Sequence, residues 1–311
     1  MEKALRFPRP VVPGDTLGVV APSFPVREEE RARIPGLLEE LGYHVRMGRT
    51  IRELMNFHGY LAGDARSRAQ DINDMFLDDG IDGIICARGG LGSCQTMEFL
   101  DLEGIRKHPK VFIGYSDITN FHSVLNRYCD LVTFHGPMVL SNIAKGYDDY
   151  SRKSLRAALD MKDRYVFRNP PEIPYQVIVP GKAEGMITGG NMSLVVKSVG
   201  TFFQPETKGK ILFLEDVEES IPHLDMYISQ LEEAGVFDGV RGILLGNFKE
   251  CDNHEYDAAF TVPDFLAVRF AGMHIPVMAG VWSGHEKPMG TIPMGTICHM
   301  DTASDEIVFT K

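Results

Sequence analysis

The sequence predicts an α/β protein with two domains and a functional site between them. Short apolar runs alternate with helical patterns through the first half, which is typical of a doubly wound, mostly parallel sheet. A proline-rich segment without helical periodicity follows, and three more apolar runs, each ending in a polar turn, occupy the second half. We therefore expect an N-terminal domain over 1–163, a linker over 164–182, and a smaller, β-rich α/β domain over 183–311.

Strands and helices alternate in the N-terminal half. The second expected helix has Ile72, Met75 and Phe76 spaced to form one apolar face. Ligands of such sheets bind at the carboxyl ends of the strands, so the turns that follow the strands should carry the functional groups. Strands are expected within 15–23, 43–48, 81–90 and 111–117, and helices within 27–45 and 63–80.

The C-terminal half contains three further apolar strands. They are expected within "GKILFLEDV" (209–217), "GVRGILLGNF" (239–248) and "HIPVMAGVWSG" (274–284), with a helix at 223–236 between the first two. Each strand runs into a polar turn, which again predicts functional groups at the strand ends.

Composition restricts the class of protein. The chain has 311 residues, is 44% hydrophobic and carries a net charge of -11, which fits a soluble globular protein and argues against nucleic acid or an anionic membrane as its partner. Its five cysteines are scattered without a CxxC pair, which argues against a disulfide framework or zinc knuckle. The first residues, "MEKALRFPRPVVPGD", contain no apolar core of a secretion signal, and no apolar run is long enough for a membrane span, so we expect a cytoplasmic protein.

Ser116 lies in "GYSD" (114–117), between an apolar strand and a helical run. A serine at such a junction commonly caps the helix by accepting a hydrogen bond from a backbone N–H. The run is also similar to a nucleophile elbow, in which a tight turn exposes a serine at a helix N-terminus. Ile118 replaces the second glycine of that motif, so the pattern alone leaves both interpretations open.

A serine nucleophile needs a base and an orienting carboxylate. Among ten histidines, His285 is the best placed, because it follows an apolar strand in a glycine-flanked loop; a structural role is the alternative. His135 also follows a strand and could line the site. Glu215 ends an apolar strand, where burial favours a histidine partner, whereas Asp216 and the acids after it are expected at a solvated helix start.

The run "CARGGLGSC" (86–94) contains two glycines that could be functional. Gly89 and Gly90 either allow unusual backbone angles in an ordinary loop or present N–H groups to an oxyanion. The run lacks the complete dinucleotide and phosphate-loop patterns, and we expect no cofactor. The cluster "CDNHEYD" (251–257) is the one candidate for metal ligands, and we expect no metal there.

Four stretches in this order resemble the LD-carboxypeptidase family of serine peptidases, which includes the microcin C7 self-immunity peptidases. They are "CARGGLG", "FIGYSDIT", "LFLEDVEE" and "GVWSGHEKPMGTIPMG". The resemblance implies that Ser116 is the nucleophile, Glu215 the carboxylate and His285 the base. It also implies that the backbone N–H groups of Asp117 and Gly90 stabilise the oxyanion.

The resemblance further implies a homodimeric enzyme that acts on a small peptide. The expected reaction is hydrolysis of an L,D-amide, releasing the terminal D-alanine of murein tetrapeptides in cell-wall recycling. One alternative is a self-immunity peptidase that cleaves a peptidyl or aminoacyl nucleotide, and another is a non-catalytic module that binds a small anion. Arg88 and Gly89 are candidates for binding substrate, with an ion-pair role as the alternative for Arg88.

Two stretches depart from the pattern of the murein enzymes. Many members of the family have a Tyr-x-x-Asp-Arg run after the carboxylate, where this chain has "PHLDM" (222–226). The tail "HEKPMGTIPMG" (285–295) is closer to the immunity branch. The family is therefore better defined than the branch within it.

Overall fold

The computed structural model describes residues 4–252, 259–304 and 306–311, and within them it contains two sheets flanked by helices. The strands are β1 (Thr16–Val20), β2 (His44–Met47), β3 (Gly83–Cys86), β4 (Val111–Gly114), β5 (Thr133–His135), β6 (Arg164–Phe167), β7 (Gln176–Val179), β8 (Lys182–Asn191), β9 (Ile211–Val217), β10 (Gly242–Lys249), β11 (Val277–Ala279), β12 (Ile292–Met294), β13 (Ile297–Asp301) and β14 (Ile307–Thr310).

Helices connect most of these strands. The α-helices are α1 (Glu28–Glu39), α2 (Arg49–Arg52), α3 (Ala65–Leu77), α4 (Leu102–Lys107), α5 (Thr119–Cys129), α6 (Asp149–Leu159), α7 (Met192–Ser198), α8 (Ile221–Glu233) and α9 (Val262–Phe270). Short 3₁₀ helices cover Ser93–Phe99, Ser116–Ile118 and Ile143–Lys145. In the described part of the chain, no helix is long and apolar enough to cross a membrane.

The first sheet has the order β12-β5-β4-β3-β1-β2, and its pairs are parallel except for β12 with β5. Every residue of β3 and β4 is buried, as expected when helices cover both faces of a parallel sheet. Asp64 caps α3 by accepting from the N–H of Ser67, and the predicted face of Ile72, Met75 and Phe76 is buried. The doubly wound N-terminal sheet is therefore confirmed.

The second sheet has the order β6-β14-β13-β8-β9-β10-β11-β7. Its centre, from β8 to β11, is parallel, whereas the strands on either side pair antiparallel. The three strands predicted in the second half correspond to β9, β10 and β11, and α8 lies between the first two. The β-rich character predicted for this half is therefore confirmed.

The segment predicted to be a linker, 164–182, contains β6 and β7 and the first residue of β8. These two strands form the opposite edges of the second sheet. Pro170, Pro171 and Pro174 lie in the connection between β6 and β7, outside both strands, so they remove no hydrogen bond from the sheet. The proline-rich stretch that suggested a linker is the connection between these two edge strands.

Strand β12 comes from the C-terminal half but pairs with β5 in the first sheet, with Ile292 opposite His135. All of β12 is buried. The chain therefore returns to the N-terminal sheet near its end, which fixes the two sheets relative to each other. The carboxyl ends of β3, β4 and β9 carry the segments that were predicted to be functional.

Candidate active site

Ser116 occupies a strained turn directly after β4. Its backbone has a φ of +64°, a left-handed conformation that is uncommon for a residue other than glycine. Ser116 begins the short 3₁₀ helix that leads into α5, and neither helix has a side-chain capping hydrogen bond. The strain and the missing cap favour an exposed serine at a helix N-terminus over the capping role.

The Arg-Gly-Gly loop after β3 lies against this turn. A Cβ added to Gly89 would be 3.0 Å from Ser116 Cβ and 3.1 Å from Ser116 Oγ, so the loop backbone contacts the serine directly. Gly90 has a φ of +132°, and a Cβ there would be 2.2 Å from the ring of Phe24. Only glycine fits at Gly90, which is the next residue after the glycine that contacts Ser116.

Asp117 ties the turn to the same loop. Its buried carboxylate accepts hydrogen bonds from Ser23 Oγ at 2.6 Å and from the N–H of Ser93 at 2.8 Å, and Ser93 Oγ donates to the Asp117 carbonyl at 2.7 Å. Burial raises the pKa of Asp117, although these hydrogen bonds lower it. The N–H of Asp117 lies in the first turn of the 3₁₀ helix, where N–H groups lack intrahelical acceptors.

Arg68 is a buried cation that the sequence analysis did not identify. Its side chain is 1% exposed, and its guanidinium donates to the carbonyls of Gly63, Pro22 and Gly92 and to Gln95 Oε1. These acceptors belong to three separate loops around the Ser116 turn. Arg68 therefore fixes the loop that contains Gly90.

Glu215 and His285 form a hydrogen-bonded pair on the second sheet. Glu215 Oε2 accepts from His285 Nδ1 at 2.7 Å, and the Glu215 side chain is fully buried while that of His285 is 14% exposed. A carboxylate can only accept, so Nδ1 carries the proton and Nε2 keeps its lone pair. This is the tautomer that a general base requires.

Glycines and an aromatic ring hold this pair in place. A Cβ at Gly284 would be 2.7 Å from Glu215 Oε2, and one at Gly246 would be 2.9 Å from Glu215 Cβ. The ring of Tyr115 packs on His285 with their centroids 4.8 Å apart. Burial alone would lower the pKa of His285, but the charge and hydrogen bond of Glu215 outweigh it and raise the pKa.

Tyr115 therefore connects the two halves of the site, since it precedes Ser116 in the chain and contacts His285. Within the described residues, Ser116 Oγ makes no hydrogen bond, so Ser116 and His285 are not hydrogen-bonded to each other in this structure. Such contacts are often long in free enzymes and shorten when substrate binds.

The predicted substrate-binding residue Arg88 is paired with an acid. Its Nη1 lies 3.1 Å from Glu30 Oε2 and 3.3 Å from the carbonyl of Pro25. These contacts agree with the ion-pair alternative for Arg88, and binding of substrate by Arg88 stays a prediction. Lys249, at the end of β10, is a second cation, and its charge opposes protonation of His285.

Asp216 differs from the expectation of a solvated helix start. Its side chain is 1% exposed and accepts from Asn191 Nδ2 and from the N–H of Ser193, both at 2.9 Å. Burial and then the charge of Glu215 raise the pKa of Asp216 to about 7. The expectation was wrong because β9 continues to Val217, which places Asp216 inside the strand.

Two other histidines lie behind the site. His122 donates from Nε2 to the Gly114 carbonyl at 2.9 Å and accepts at Nδ1 from Thr133 Oγ1 at 2.9 Å, and burial lowers its pKa to about 4. His135 is fully buried between the rings of Tyr115 and Phe213. Both histidines are buried and contact the residues directly before Ser116: His122 contacts Gly114, and His135 contacts Tyr115.

The cluster proposed as a possible metal site, 251–257, lies outside the described residues from 253 onward. Among the residues that the structure does describe, no three His, Cys, Asp or Glu side chains are grouped so that they could hold a metal ion.

Comparison with family models gives two matches along the chain. The LD-carboxypeptidase N-terminal domain matches residues 17–136, and the LD-carboxypeptidase C-terminal domain matches residues 184–300. The first match contains Ser116 and the Arg-Gly-Gly loop, and the second contains Glu215 and His285.

Individual proteins are similar over almost the full chain. A Bacillus subtilis protein named "Probable murein peptide carboxypeptidase" is 36% identical over 302 residues, which cover 97% of this chain and 93% of that protein. A variant of the microcin C7 self-immunity protein MccF in complex with adenosine monophosphate superimposes with a TM-score of 0.88, at 27% identity and 98% coverage of both chains.

A muramoyltetrapeptide carboxypeptidase from Oxalobacter formigenes has a TM-score of 0.81 and 25% identity, and the match covers 94% of this chain and 97% of that one. Sequence and fold thus agree along both halves. This chain belongs to the LD-carboxypeptidase family.

Proposed function

We propose that this chain is a serine carboxypeptidase in which Ser116 is the nucleophile, His285 the general base and Glu215 the orienting carboxylate. The left-handed turn that exposes Ser116 at a helix N-terminus carries the proposal. The hydrogen bond of 2.7 Å between Glu215 and His285 supports it, since it leaves Nε2 of the imidazole free to accept a proton.

The reaction is acyl transfer through an ester of Ser116. His285 Nε2 takes the hydroxyl proton while Ser116 Oγ forms a bond to the amide carbonyl carbon, and Glu215 stabilises the resulting imidazolium. The N–H groups of Gly90 and Asp117 donate to the oxyanion. His285 then protonates the leaving amine as the C–N bond breaks. Water, deprotonated by His285, hydrolyses the ester and restores Ser116.

The proposed substrate is a murein tetrapeptide, from which the enzyme releases the terminal D-alanine. The names of the Bacillus subtilis relative and of the Oxalobacter formigenes structure support this class of substrate. The free carboxylate of the substrate needs a cation, and Arg88 and Lys249 are the candidates. Each is already paired with an acid, Arg88 with Glu30 at 3.1 Å and Lys249 with Glu250 at 3.4 Å, so either cation would share its charge when substrate binds.

A peptidyl or aminoacyl nucleotide is the second candidate substrate. It is favoured by the similarity to MccF in complex with adenosine monophosphate. The two candidates share the acyl-transfer chemistry and differ in the group that leaves.

The proposed setting is the cytoplasm, in the recycling of cell-wall peptides, with the enzyme acting as a homodimer. All five cysteines are free thiols, as in proteins of reducing compartments. Sedimentation equilibrium of the purified chain tests the dimer, and a single species with the mass of one chain would contradict it.

Hydrolysis of a murein tetrapeptide and of an aminoacyl sulfamoyl adenylate by the same preparation tests the function. We expect D-alanine release from the tetrapeptide, and its loss in Ser116→Ala. Ser123→Ala is the matched control, because Ser123 is on the following helix and donates to the Phe203 carbonyl at 2.8 Å. Faster cleavage of the adenylate would favour the immunity branch. Unchanged hydrolysis by Ser116→Ala would show that Ser116 is not the nucleophile, whereas no hydrolysis of either substrate by the unaltered protein would favour the anion-binding alternative.

A further inference from the structure

Three buried polar residues connect the nucleophile helix to the strand that carries Glu215. Thr119 Oγ1 accepts from the N–H of Asn191 at 3.0 Å, and Asn191 Nδ2 donates to Asp216 Oδ1 at 2.9 Å. The exposed fractions of Thr119, Asn191 and Asp216 are 2%, 2% and 1%. We call this set the Thr119–Asn191–Asp216 link.

Each end of the link is close to a reacting group. Thr119 begins α5, three residues after Ser116, and Asp216 directly follows Glu215 in β9. Asn191 ends β8 and pairs in register with Glu215. The link therefore runs from the helix of the proposed nucleophile to the strand that holds the proposed base through Glu215.

The remaining polar atoms of the link are also satisfied. Asp216 Oδ2 accepts from the N–H of Ser193 at 2.9 Å. Asn191 Oδ1 accepts from Ser193 Oγ at 2.6 Å and caps α7 by accepting from the N–H of Leu194 at 3.3 Å. A buried network with every member paired has one preferred geometry, because any shift leaves a polar group without a partner.

Gly190 brings the two backbones close enough for the link to form. Its φ is +136°, and a Cβ at this position would be 2.6 Å from Thr119 Oγ1. Any side chain at Gly190 would push α5 away from β8. The close approach of α5 to β8 therefore depends on the absence of a side chain at Gly190.

We propose that Thr119, Asn191 and Asp216 are positioning residues that set the separation between Ser116 and His285. Proton transfer needs Ser116 Oγ and His285 Nε2 at about 2.6–3.2 Å, although the two residues belong to different sheets. A misplacement of about 1 Å can cost about 100-fold in rate. The inference rests on the proposed function, since it assumes that Ser116 and His285 react together.

Removal of the Thr119 hydroxyl tests the link in the full-length protein. Thr119→Val keeps the shape of the side chain but leaves the Asn191 N–H without its acceptor. We expect kcat on the tetrapeptide to fall about 10- to 100-fold while KM stays within about twofold. Thr119→Ser keeps the hydroxyl and should restore kcat to near the wild-type value.

Thr50→Val is the matched control. Thr50 is also 2% exposed and donates from Oγ1 to a buried carboxylate, Asp71, at 2.7 Å, but this hydrogen bond joins α2 to α3. Thr50→Val should lower the midpoint temperature of thermal unfolding, while its kcat stays close to that of the wild type. If Thr119→Val and Thr50→Val have the same kcat, the positioning role is wrong.

Asp216→Asn gives a second measurement in case Thr119→Val does not fold. The ionisable groups that interact with Asp216 are Glu215, His285, Tyr227 and Cys251. The charge of Asp216 helps to raise the pKa of His285, so the variant should lose kcat and move the acidic limb of kcat/KM to lower pH. An unchanged limb together with an unchanged kcat would overturn the proposal.

Ser116→Ala distinguishes failure of this inference from failure of the proposed function. If Ser116→Ala is inactive and Thr119→Val has normal kcat, the link alone is wrong. If Ser116→Ala retains full activity, the proposed nucleophile is wrong and the link, which presupposes it, is rejected with it.

Discussion

The backbone of Gly89 lies so close to Ser116 that a Cβ at Gly89 would be 3.1 Å from Ser116 Oγ. We expect Gly89→Ala to displace the serine hydroxyl and lower kcat by about 10- to 100-fold, because small displacements at a reacting atom are costly. Steady-state kinetics on the tetrapeptide measures this.

Gly36→Ala is the control for this change. A Cβ at Gly36 meets nothing within 4 Å, and the residue lies inside α1. It should leave kcat unchanged and raise the free energy of unfolding by about 0.5–1 kcal/mol, since alanine favours the helix. Equal kcat values for the two alanine variants would contradict the close contact at Ser116.

Glu215→Gln should lower kcat by up to about 10⁴-fold, as loss of the orienting carboxylate does in serine proteases. It should also move the acidic limb of kcat/KM to lower pH, because Glu215 raises the pKa of His285 and the base must be neutral to act. A pH profile from about pH 5 to 9 measures both effects.

Glu232→Gln serves as the control, since Glu232 forms an ion pair with Arg269 at the end of α8. Its profile should match that of the wild type. If the acidic limb of the kcat/KM profile does not move in Glu215→Gln, His285 is not the group whose titration produces that limb.

Asp216→Asn should change how stability depends on pH. The pKa of Asp216 is raised from 3.8 to about 7 in the folded protein, so the folded state holds this proton more tightly than the unfolded state. The contribution of this group to the free energy of unfolding is therefore present at low pH and falls as pH rises from about 4 to 7.

Asparagine does not titrate, so the stability of the variant relative to wild type should increase across that window and stay constant above it. Urea unfolding of both proteins at pH 5, 6, 7 and 8 measures the difference. A difference independent of pH would mean that Asp216 ionises normally in the folded state.

Arg68→Met should lower the free energy of unfolding and also abolish tetrapeptide hydrolysis. The variant leaves the acceptors in three loops without a donor, at about 1–3 kcal/mol for each buried acceptor. The loop with Gly90 would lose its anchor at Gly92. Chemical unfolding and tetrapeptide hydrolysis measure the two effects.

Arg66→Met, two residues earlier on the same helix, is the matched control. Arg66 is exposed and its guanidinium lies 4.5 Å from the centroid of the Phe99 ring, so the change should cost only about 0.5–1 kcal/mol. If the two variants unfold at the same denaturant concentration, the hydrogen bonds of Arg68 do not stabilise the three loops.

The alternation of strands and helices, and the polar turns at strand ends, were predictable because they depend on local periodicity. That information led to Ser116, Glu215 and His285 only in combination with motif resemblance, since the three residues are far apart in sequence. The short distance between Glu215 and His285 depends on packing of the second sheet, and periodicity contains no information about it.

The features that were missed all depend on tertiary contacts. Asp216 and Arg68 look like ordinary charged residues of a helix start and a helix, and only the surrounding backbone makes their burial favourable. The contact between Thr119 and Asn191 joins elements from both halves. The strands inside 164–182 are short and separated by a proline-rich connection, so their pairing with the edges of a sheet is not evident from local pattern.

Strand β12 has a consequence for how the protein is made. The N-terminal sheet gains its β12 strand only when residues 292–294 have been synthesised, long after β5. Until then β5, with the fully buried Phe134, presents an open apolar edge that other chains could pair with. A ribosome-bound chain that already contains Ser116 is therefore incomplete around its nucleophile, and completion of the sheet coincides with arrival of His285.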